Sequence, residues 1–239
     1  RTTRATAARA PQGTPLTPEV SHLVLLPILL PLAVAAVELL LVRLPLSPRA
    51  RGLAALAAML AATACSIPLL LRVWAGSTIV FHLGGWPGPV GITLVADLLG
   101  ASMAVMCQVV LTAGVVCALG ARDRSVTYPS FYPLLLCLAS GLTGAMLTGD
   151  LFNLFVFTEL VVISGTVLTA VSDHKGGAEA AFKYFYISTL AAVLLLVSSG
   201  CLYAAYGTLN LADLSRQIAA DPDQPLAALA LALLFAAFC

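Results

Sequence analysis

Residues 147–162 read LTGDLFNLFVFTELVV and lie inside a long apolar part of the chain. The run from Leu151 to Val171 has the length of one membrane-spanning helix, and Glu159 is its one carboxylate. At 1.5 Å per residue, Glu159 would lie about 12 Å from the helix start, in a hydrocarbon layer about 30 Å thick. A carboxylate there costs at least about 2.5 kcal/mol, so such groups normally face other helices or water and mark ion pathways. The alternative is a structural carboxyl, kept protonated or hydrogen-bonded to a neighbouring helix.

The composition of the whole chain is that of a polytopic helical membrane protein. Of its 239 residues, 60% are hydrophobic and 10% are charged, and the mean hydropathy is +1.00. Soluble domains carry about 25% charged residues. The formal net charge of +1 gives no indication of a nucleic-acid partner. The sequence therefore predicts an all-α bundle of transmembrane helices that has the lipid bilayer as its surroundings.

The cysteines and histidines do not form the spacings of a metal or redox site. The six cysteines lie in apolar runs and form no C-x-x-C motif or Cys/His cluster, so we predict that they are small buried side chains. The three histidines are far apart in sequence and near the predicted membrane surfaces. We predict no metal, no haem, no iron–sulfur centre and no other cofactor.

The apolar runs predict six complete helices and the start of a seventh. Residues 1–20 are predicted to be a disordered tail, and residues 21–239 to form the membrane domain. The short turn at 148–150 predicts an antiparallel pair of helices, and residues 208–218 have the spacing of a short amphipathic surface helix. The predicted spanning helices are approximately 23–42, 53–73, 92–120, 131–147, 151–171 and 178–205, with the seventh beginning near 226.

Arginine is distributed unequally between the two sets of loops. Loop 43–51 has three arginines and loop 121–130 has two, whereas the loops of the opposite side have only Arg216. Because cytoplasmic loops are enriched in Lys and Arg, this pattern predicts an N-terminus on the outside. Loop 75–90 is rich in Gly and Pro and is predicted to consist of turns.

Lys183 is the basic residue of the sixth predicted helix. Glu179 precedes it by four residues, in the order that favours an ion pair on one helix. The alternative is a wet cavity shared with Glu159, from which the predicted topology separates Lys183 by about 10 Å along the membrane normal. One or two waters would bridge that gap. A carboxyl and an amine placed in this way alter each other's pKa, as a proton relay requires.

Two further carboxylates lie at predicted helix ends. Asp97 is near the start of the third predicted helix and is either a helix cap or a polar group that faces the bundle. Glu38 is near the end of the first predicted helix. We expect Glu38 to extend to the membrane surface or to pair with Arg43.

Several motifs resemble one known family. The segments TGDLFNLFVFTE (148–159), FKY (182–184) and YGTLNLADL (206–214) are similar to the antiporter-type subunits shared by respiratory complex I and Mrp cation/proton antiporters. Within that family the similarity is greatest to the D-type subunit of Mrp antiporters. The segments LLPILLPL (25–32), GWP (85–87) and VADLL (95–99) also resemble that D-type subunit.

The resemblance implies a proton-translocating subunit of a multi-subunit Na⁺ (monovalent cation)/H⁺ antiporter in a bacterial plasma membrane. It implies partnership with the other Mrp subunits, with protons and with monovalent cations, and a secondary transporter rather than an enzyme. The family's glutamate, basic residue and aspartate fall on Glu159, Lys183 and Asp97, which makes these three the expected relay groups. Gly100 stands where relatives usually have serine. The family's next lysine would follow Cys239, so we expect an N-terminal part of that fold.

Two other functions remain open from the sequence. One is the homologous proton-pumping subunit of complex I or of a membrane-bound hydrogenase. The other, of a different class, is a scaffold or assembly subunit that transports nothing.

Overall fold

The computed structural model describes residues 22–86, 88–121, 123–171 and 175–239. The predicted tail at 1–20 lies outside the described residues. The described part contains two short strands, β1 (Ile79–His82) and β2 (Thr93–Ala96). Its α-helices are α1 (Leu26–Leu40), α2 (Pro48–Trp74), α3 (Leu98–Gly120), α4 (Phe131–Leu147), α5 (Leu151–Ala170), α6 (Lys175–Tyr206), α7 (Leu211–Ala220) and α8 (Pro225–Phe238).

The predicted class, an all-α membrane bundle, is confirmed. Helices α2, α3 and α5, and α6 from Gly176 onward, are long and apolar enough to cross a membrane, and α1, α4 and α8 are shorter apolar helices. The chain is therefore a multi-pass membrane protein. The amphipathic helix predicted near residues 208–218 is present as α7, and the Asn210 side chain accepts hydrogen bonds from two backbone N–H groups in its first turn.

The helices form two packed groups that share α5. In the first group α4 contacts α1, α3 and α5, and α2 contacts α1 and α3. In the second group α6 packs between α5 and α8. Two apolar clusters fill the first group, one at each end, and a third joins α5, α6, α7 and α8. Burial of apolar side chains within the bundle thus places α5, which carries Glu159, at the junction of the two groups.

A proline in α1 accounts for the polar contacts at the centre of the first group. Pro31 has no N–H group, so the carbonyl of Pro27 lacks its usual intrahelical donor. The side-chain amide of Gln108, which is fully buried on α3, donates to that carbonyl at 3.4 Å. The hydroxyl of Ser66 on α2 donates to Gln108 Oε1 at 2.8 Å. This contact satisfies buried polar groups from three helices at once.

Two glycines allow α4 and α5 to approach closely. A Cβ built on Gly141 would lie 2.8 Å from Cγ2 of Val161. A Cβ on Gly144 would overlap the ring of Phe157. The turn between the helices contains Asp150, whose carboxylate accepts a hydrogen bond from Asn153 N at 2.8 Å and caps α5. The predicted antiparallel helix pair is confirmed.

The loop predicted at 75–90 is corrected by the structure, because β1 and β2 form an antiparallel hairpin. Ile79 lies opposite Ala96 and His82 lies opposite Thr93. Helix α3 consequently begins at Leu98 rather than near Ile92. Both strands are rich in β-branched and aromatic residues, but they are only four residues long. The apolar run that continues into α3 conceals the second strand in the sequence.

Backbone hydrogen bonds at Gly149 join three segments that are remote in sequence. Gly149 N donates to the carbonyl of Thr93 at 2.8 Å, and the carbonyl of Gly149 accepts from Leu211 N at 2.9 Å. Leu151 N donates to the carbonyl of Leu209 at 2.9 Å. The hairpin, the α4–α5 turn and the start of α7 are thereby held together, and we call this end of the molecule the hairpin end.

Replacing Gly149 by alanine should weaken this junction. A Cβ at Gly149 would lie 2.6 Å from Cγ2 of Val95 and 3.3 Å from the carbonyl oxygen of Thr93. Because the hairpin must move to admit it, we expect Gly149→Ala to lower the free energy of unfolding by about 1–3 kcal/mol. The measurement is thermal unfolding of the purified protein in detergent.

Gly114→Ala is the matched control, since a Cβ on Gly114 meets no atom within 4 Å. Alanine in that helical position should be neutral or stabilising by up to about 1 kcal/mol. Equal melting temperatures for the two variants would contradict the junction.

Candidate functional site

Glu159 lies eight residues beyond the first residue of α5, on the flank of the helix. It is partly buried, and among the described residues it forms no hydrogen bond or ion pair. The side chains one turn before and one turn after it, Val156 and Ile163, are 46% and 51% exposed. Glu159 therefore stands at the edge of an apolar strip of α5 that the described residues leave uncovered.

The register of α5 against α6 fixes the relative depth of Glu159 and Lys183. The hydroxyl of Tyr184 on α6 lies 3.1 Å from the position of a Cβ on Gly165 of α5. The helices are antiparallel, so Lys183 lies at the level of about residue 166. Glu159 is seven residues from that level, which corresponds to about 10 Å along the helix axis.

Lys183 is held by its own helix. Its Nζ atom lies 2.5 Å from Oε1 of Glu179, one turn earlier on α6, and the two side chains are 68% and 67% exposed. An exposed pair of this kind contributes at most about 1 kcal/mol in water and breaks readily. The structure therefore shows the ion-pair alternative for Lys183, in a form that leaves the amine free to change partner.

A buried hydroxyl lies on the same side of α5 as Glu159. Thr166 follows Glu159 by seven residues, two helical turns, so the two side chains share a face. The Oγ1 atom of Thr166 is buried and has no hydrogen-bond partner among the described residues. By the register given above, it lies at the level of Lys183. Sequence reasoning did not single out Thr166, although its spacing from Glu159 was visible.

Asp97 is the cap of α3. Its Oδ1 atom accepts a hydrogen bond from Gly100 N at 2.6 Å, and the residue is exposed. A Cβ on Gly100 would lie 2.5 Å from the carbonyl oxygen of Met146, so the junction has no room for a side chain at this position. Of the two alternatives drawn from the sequence, the structure shows the cap.

Asp97 lines a cavity of about 580 Å³ at the hairpin end. Thr93 and Asn210 lie in its wall, and Asn210 Nδ2 donates to Oγ1 of Thr93 at 3.2 Å. Asp213 and Arg216 of α7 form an ion pair of 3.4 Å at its edge. Three charged side chains thus line the cavity, which is open to the solvent.

The structure does not bring the three predicted residues into one site. Asp97 lies at the hairpin end, Glu159 about 12 Å along α5 from that end, and Lys183 about 10 Å farther on. No cluster of metal-ligating side chains occurs among the described residues. The arrangement is a series of titratable groups at successive depths.

Glu38 is placed differently from the expectation. It neither reaches the surface nor pairs with Arg43: the residue is only 5% exposed, and both carboxylate oxygens lack a hydrogen-bond partner among the described residues. The helical spacing of Ile28, Pro31, Ala35 and Glu38, the buried strip of α1, was the sequence signal that would have revealed this.

Residues 129–236 match the family model of proteins related to the N subunit of NADH dehydrogenase I. The chain is 36% identical over 203 residues to the D subunit of the Na⁺/H⁺ antiporter of Alkalihalophilus pseudofirmus, covering 83% of this chain and 40% of that protein. It is 38% identical over 216 residues to the D subunit of a probable K⁺/H⁺ antiporter of Rhizobium meliloti, covering 86% and 38%. It is 36% identical over 220 residues to the N subunit of the NADH-quinone oxidoreductase of Desulforudis audaxviator, covering 90% and 43%.

Among solved structures, the fold matches a chain of the Mrp complex from Dietzia sp. with a TM-score of 0.79 and 28% sequence identity. The match covers 92% of this chain and 40% of that chain. The chain therefore spans about two fifths of the length of the relatives it matches. The similarity supports both fold and family, and it extends over nearly all of this sequence.

Two substitutions separate the charge of Asp97 from its capping contact. Asparagine caps helices about as well as aspartate, whereas alanine removes a cap worth about 1 kcal/mol. We expect Asp97→Asn to keep the melting temperature of the parent protein and Asp97→Ala to lower it. Unfolding in detergent provides the measurement, and an equal loss in both variants would show that the carboxylate charge, rather than the cap, stabilises α3.

Proposed function

The chain belongs to the family of antiporter-like membrane subunits shared by Mrp cation/proton antiporters and respiratory complex I, and on that premise we propose that it carries protons in a multi-subunit monovalent-cation/proton antiporter. Relatives named as the D subunits of antiporters support this assignment. We further propose that the complex lies in a bacterial plasma membrane and that the partners of this chain are the other Mrp subunits, as the similarity to a chain of a solved Mrp complex suggests.

The proposal rests on one observation, the unpaired side chain of Glu159. A carboxyl group inside the hydrocarbon layer is expensive in its charged form, and a structural carboxyl would be expected to have a hydrogen-bond partner. Glu159 has none among the described residues and is partly exposed. A group in this state is suited to bind a proton and to release it when a cation or water approaches. It is the proton carrier of this proposal.

Thr166 and Lys183 continue the path away from the hairpin end. The unpaired hydroxyl of Thr166 both donates and accepts hydrogen bonds, and it lies between the depth of Glu159 and the end of α5. One or two waters would span the distance of about 10 Å from Glu159 to the level of this hydroxyl and of the amine. Lys183 receives the proton in this scheme when its contact with Glu179 opens. Asp97, at the hairpin end, is the weakest candidate because its carboxylate is already engaged as a cap.

A second candidate function has specific support. The family model that matches residues 129–236 and the relative from Desulforudis audaxviator are both named for the NADH dehydrogenase complex. The same Glu159–Lys183 relay would then serve a redox-driven pump. In either setting this chain moves protons and carries out no redox step. The relatives are named for Na⁺ in one case and K⁺ in another, so the cation is a separate question.

Glu159→Gln tests the transport proposal. The amide keeps the size of the side chain but takes up no proton, so cation-dependent proton movement should fall at least about tenfold, a change of about 1.4 kcal/mol in the barrier. The measurement is proton exchange in membrane vesicles that contain the full-length protein within its complete complex. The composition of the complex on native gels should be unchanged.

Asp223→Asn is the matched control, because it removes one carboxylate from the exposed loop between α7 and α8. Transport by this variant should equal that of the parent. If Glu159→Gln exchanged protons as fast as Asp223→Asn, this chain would instead be a scaffold subunit.

A pair of variants tests the role of Lys183. Lys183→Met and Glu179→Gln each abolish the same ion pair. If Lys183 accepts the proton, only Lys183→Met should slow exchange markedly, whereas Glu179→Gln should leave it near the parent rate. Equal losses in both variants, measured in the same vesicles, would assign a purely structural role to the pair.

A further inference from the structure

Glu38 ends the buried strip of α1. Ile28, Pro31 and Ala35 precede it at helical spacing and pack into the core. Glu38 itself is 5% exposed, and neither of its carboxylate oxygens has a hydrogen-bond partner among the described residues. Buried carboxyls are normally hydrogen-bonded to protein groups, so this one calls for water or a bound proton.

Arg51 lies beside Glu38 but does not bond its carboxylate. The guanidinium is buried and donates to the backbone carbonyls of Glu38 at 3.1 Å and of Leu41 at 2.9 Å, with longer contacts of 3.4 Å to Val42 and Leu44. The carbonyl of Glu38 is one of the last four of α1, which lack helical donors, and the others belong to residues that follow the helix. Arg51 therefore supplies a positive charge next to Glu38 while both of its terminal nitrogens donate to backbone carbonyls.

Tyr132 contributes a third polar side chain from another helix. It is 2% exposed on α4 and lies within electrostatic range of Glu38. Its hydroxyl is lodged against Gly52 of α2, where a Cβ would lie only 2.8 Å from the phenol oxygen. Glu38, Arg51 and Tyr132 are the titratable groups that α1 and the two helices packed against it, α2 and α4, bring together at this point.

A cavity of about 320 Å³ lies between this cluster and the surface. Glu38 and Arg51 line it, and Leu41 and Leu46, which are both partly exposed, form its edge at the loop between α1 and α2. Its walls are almost entirely apolar and both carboxylate oxygens of Glu38 are buried, so a proton reaches them only when a side chain of the wall moves. This opening lies at the end of the bundle opposite the hairpin end, where the arginine-bearing loops are.

We propose that Glu38 is a proton-binding site in its own right, which exchanges a proton with water at the arginine-bearing end of the bundle. When a hydronium ion protonates the carboxylate, one O–H bond forms on Glu38 and a neutral water remains. Release reverses the step and returns the proton to water. The participation of this site in transport rests on the proposed function, whereas proton binding by Glu38 does not.

The surroundings make both states of Glu38 accessible. Loss of hydration favours the neutral acid, and the nearby charge of Arg51 favours the carboxylate. The two effects oppose each other, so neither state is excluded. A carboxyl that paired directly with Arg51 would be locked in its charged form, whereas Arg51 here donates to backbone carbonyls and forms no ion pair with Glu38.

Infrared difference spectra of the complete complex in lipid vesicles test the site directly. As the pH is varied about neutrality, the carbonyl stretching band of a protonated carboxyl should rise and fall and should shift in D₂O. The band should be absent in Glu38→Gln and present in Glu159→Gln and Asp223→Asn. A spectrum in which Glu38→Gln removes no titrating band would overturn the proposal.

Arg51→Gln provides a second variant that keeps the proposal testable if Glu38→Gln does not assemble. Removing the positive charge should raise the midpoint of the titration by about one pH unit or more. An unchanged midpoint would contradict a proton site beside Arg51.

Transport measurements separate the two proposals. Glu38→Gln should slow proton exchange severalfold in vesicles. If the Glu38 band titrates while Glu159→Gln transports normally, the site stands and the relay through Glu159 fails. If Glu159→Gln abolishes exchange while no band belongs to Glu38, the relay stands and this site is refuted.

Discussion

The hydrogen bonds at Gly149 hold the described structure together. Through one residue without a side chain, the backbone of β2 meets the α4–α5 turn, and that turn meets the start of α7. The contact fixes the height at which α5 begins, because Asp150 caps the helix in the next position. The depth of Glu159 follows from that starting point. A backbone contact at one end of the bundle thus determines where a carboxyl lies in its middle.

The polar groups of this chain are distributed along the bundle axis rather than gathered in one pocket. Asp97 and the large cavity lie at one end, Glu159 farther in, Thr166 and Lys183 beyond it, and Glu38 with Arg51 at the opposite end of the neighbouring helix group. In a medium of low dielectric constant, a charge can be moved over such distances only in short steps between groups that share it. The spacing of about 10 Å between Glu159 and Lys183 requires water or a hydroxyl between them. Helix packing sets these distances, and each side chain then acts locally.

The features that could be predicted from the sequence are those that depend on residues close to each other in the chain. Apolar runs indicated the number of helices and most of their ends, the four-residue spacing indicated the pair of Glu179 with Lys183, and the amphipathic spacing of residues 208–218 indicated α7. Contacts between distant segments were not predictable in this way. The hairpin strands are too short to show a period, and the bonds of Gly149 are made by backbone, which has no sequence signature. The helical spacing of the buried residues of α1 indicated that Glu38 is buried. The charge of its side chain led instead to the prediction of a surface position.

Pro31 interrupts the backbone hydrogen bonding of helix α1 and creates a point at which a helix can bend. The missing N–H at this position leaves a joint in the helix, and the amide of Gln108 holds the joint against α3. Glu38 lies seven residues beyond it, a lever of about 10 Å. A change of about 20° in the bend, typical of proline kinks, would swing the carboxyl sideways by roughly 4 Å. A bend at this one position would therefore change the distance between the carboxyl of Glu38 and its neighbours Arg51 and Tyr132.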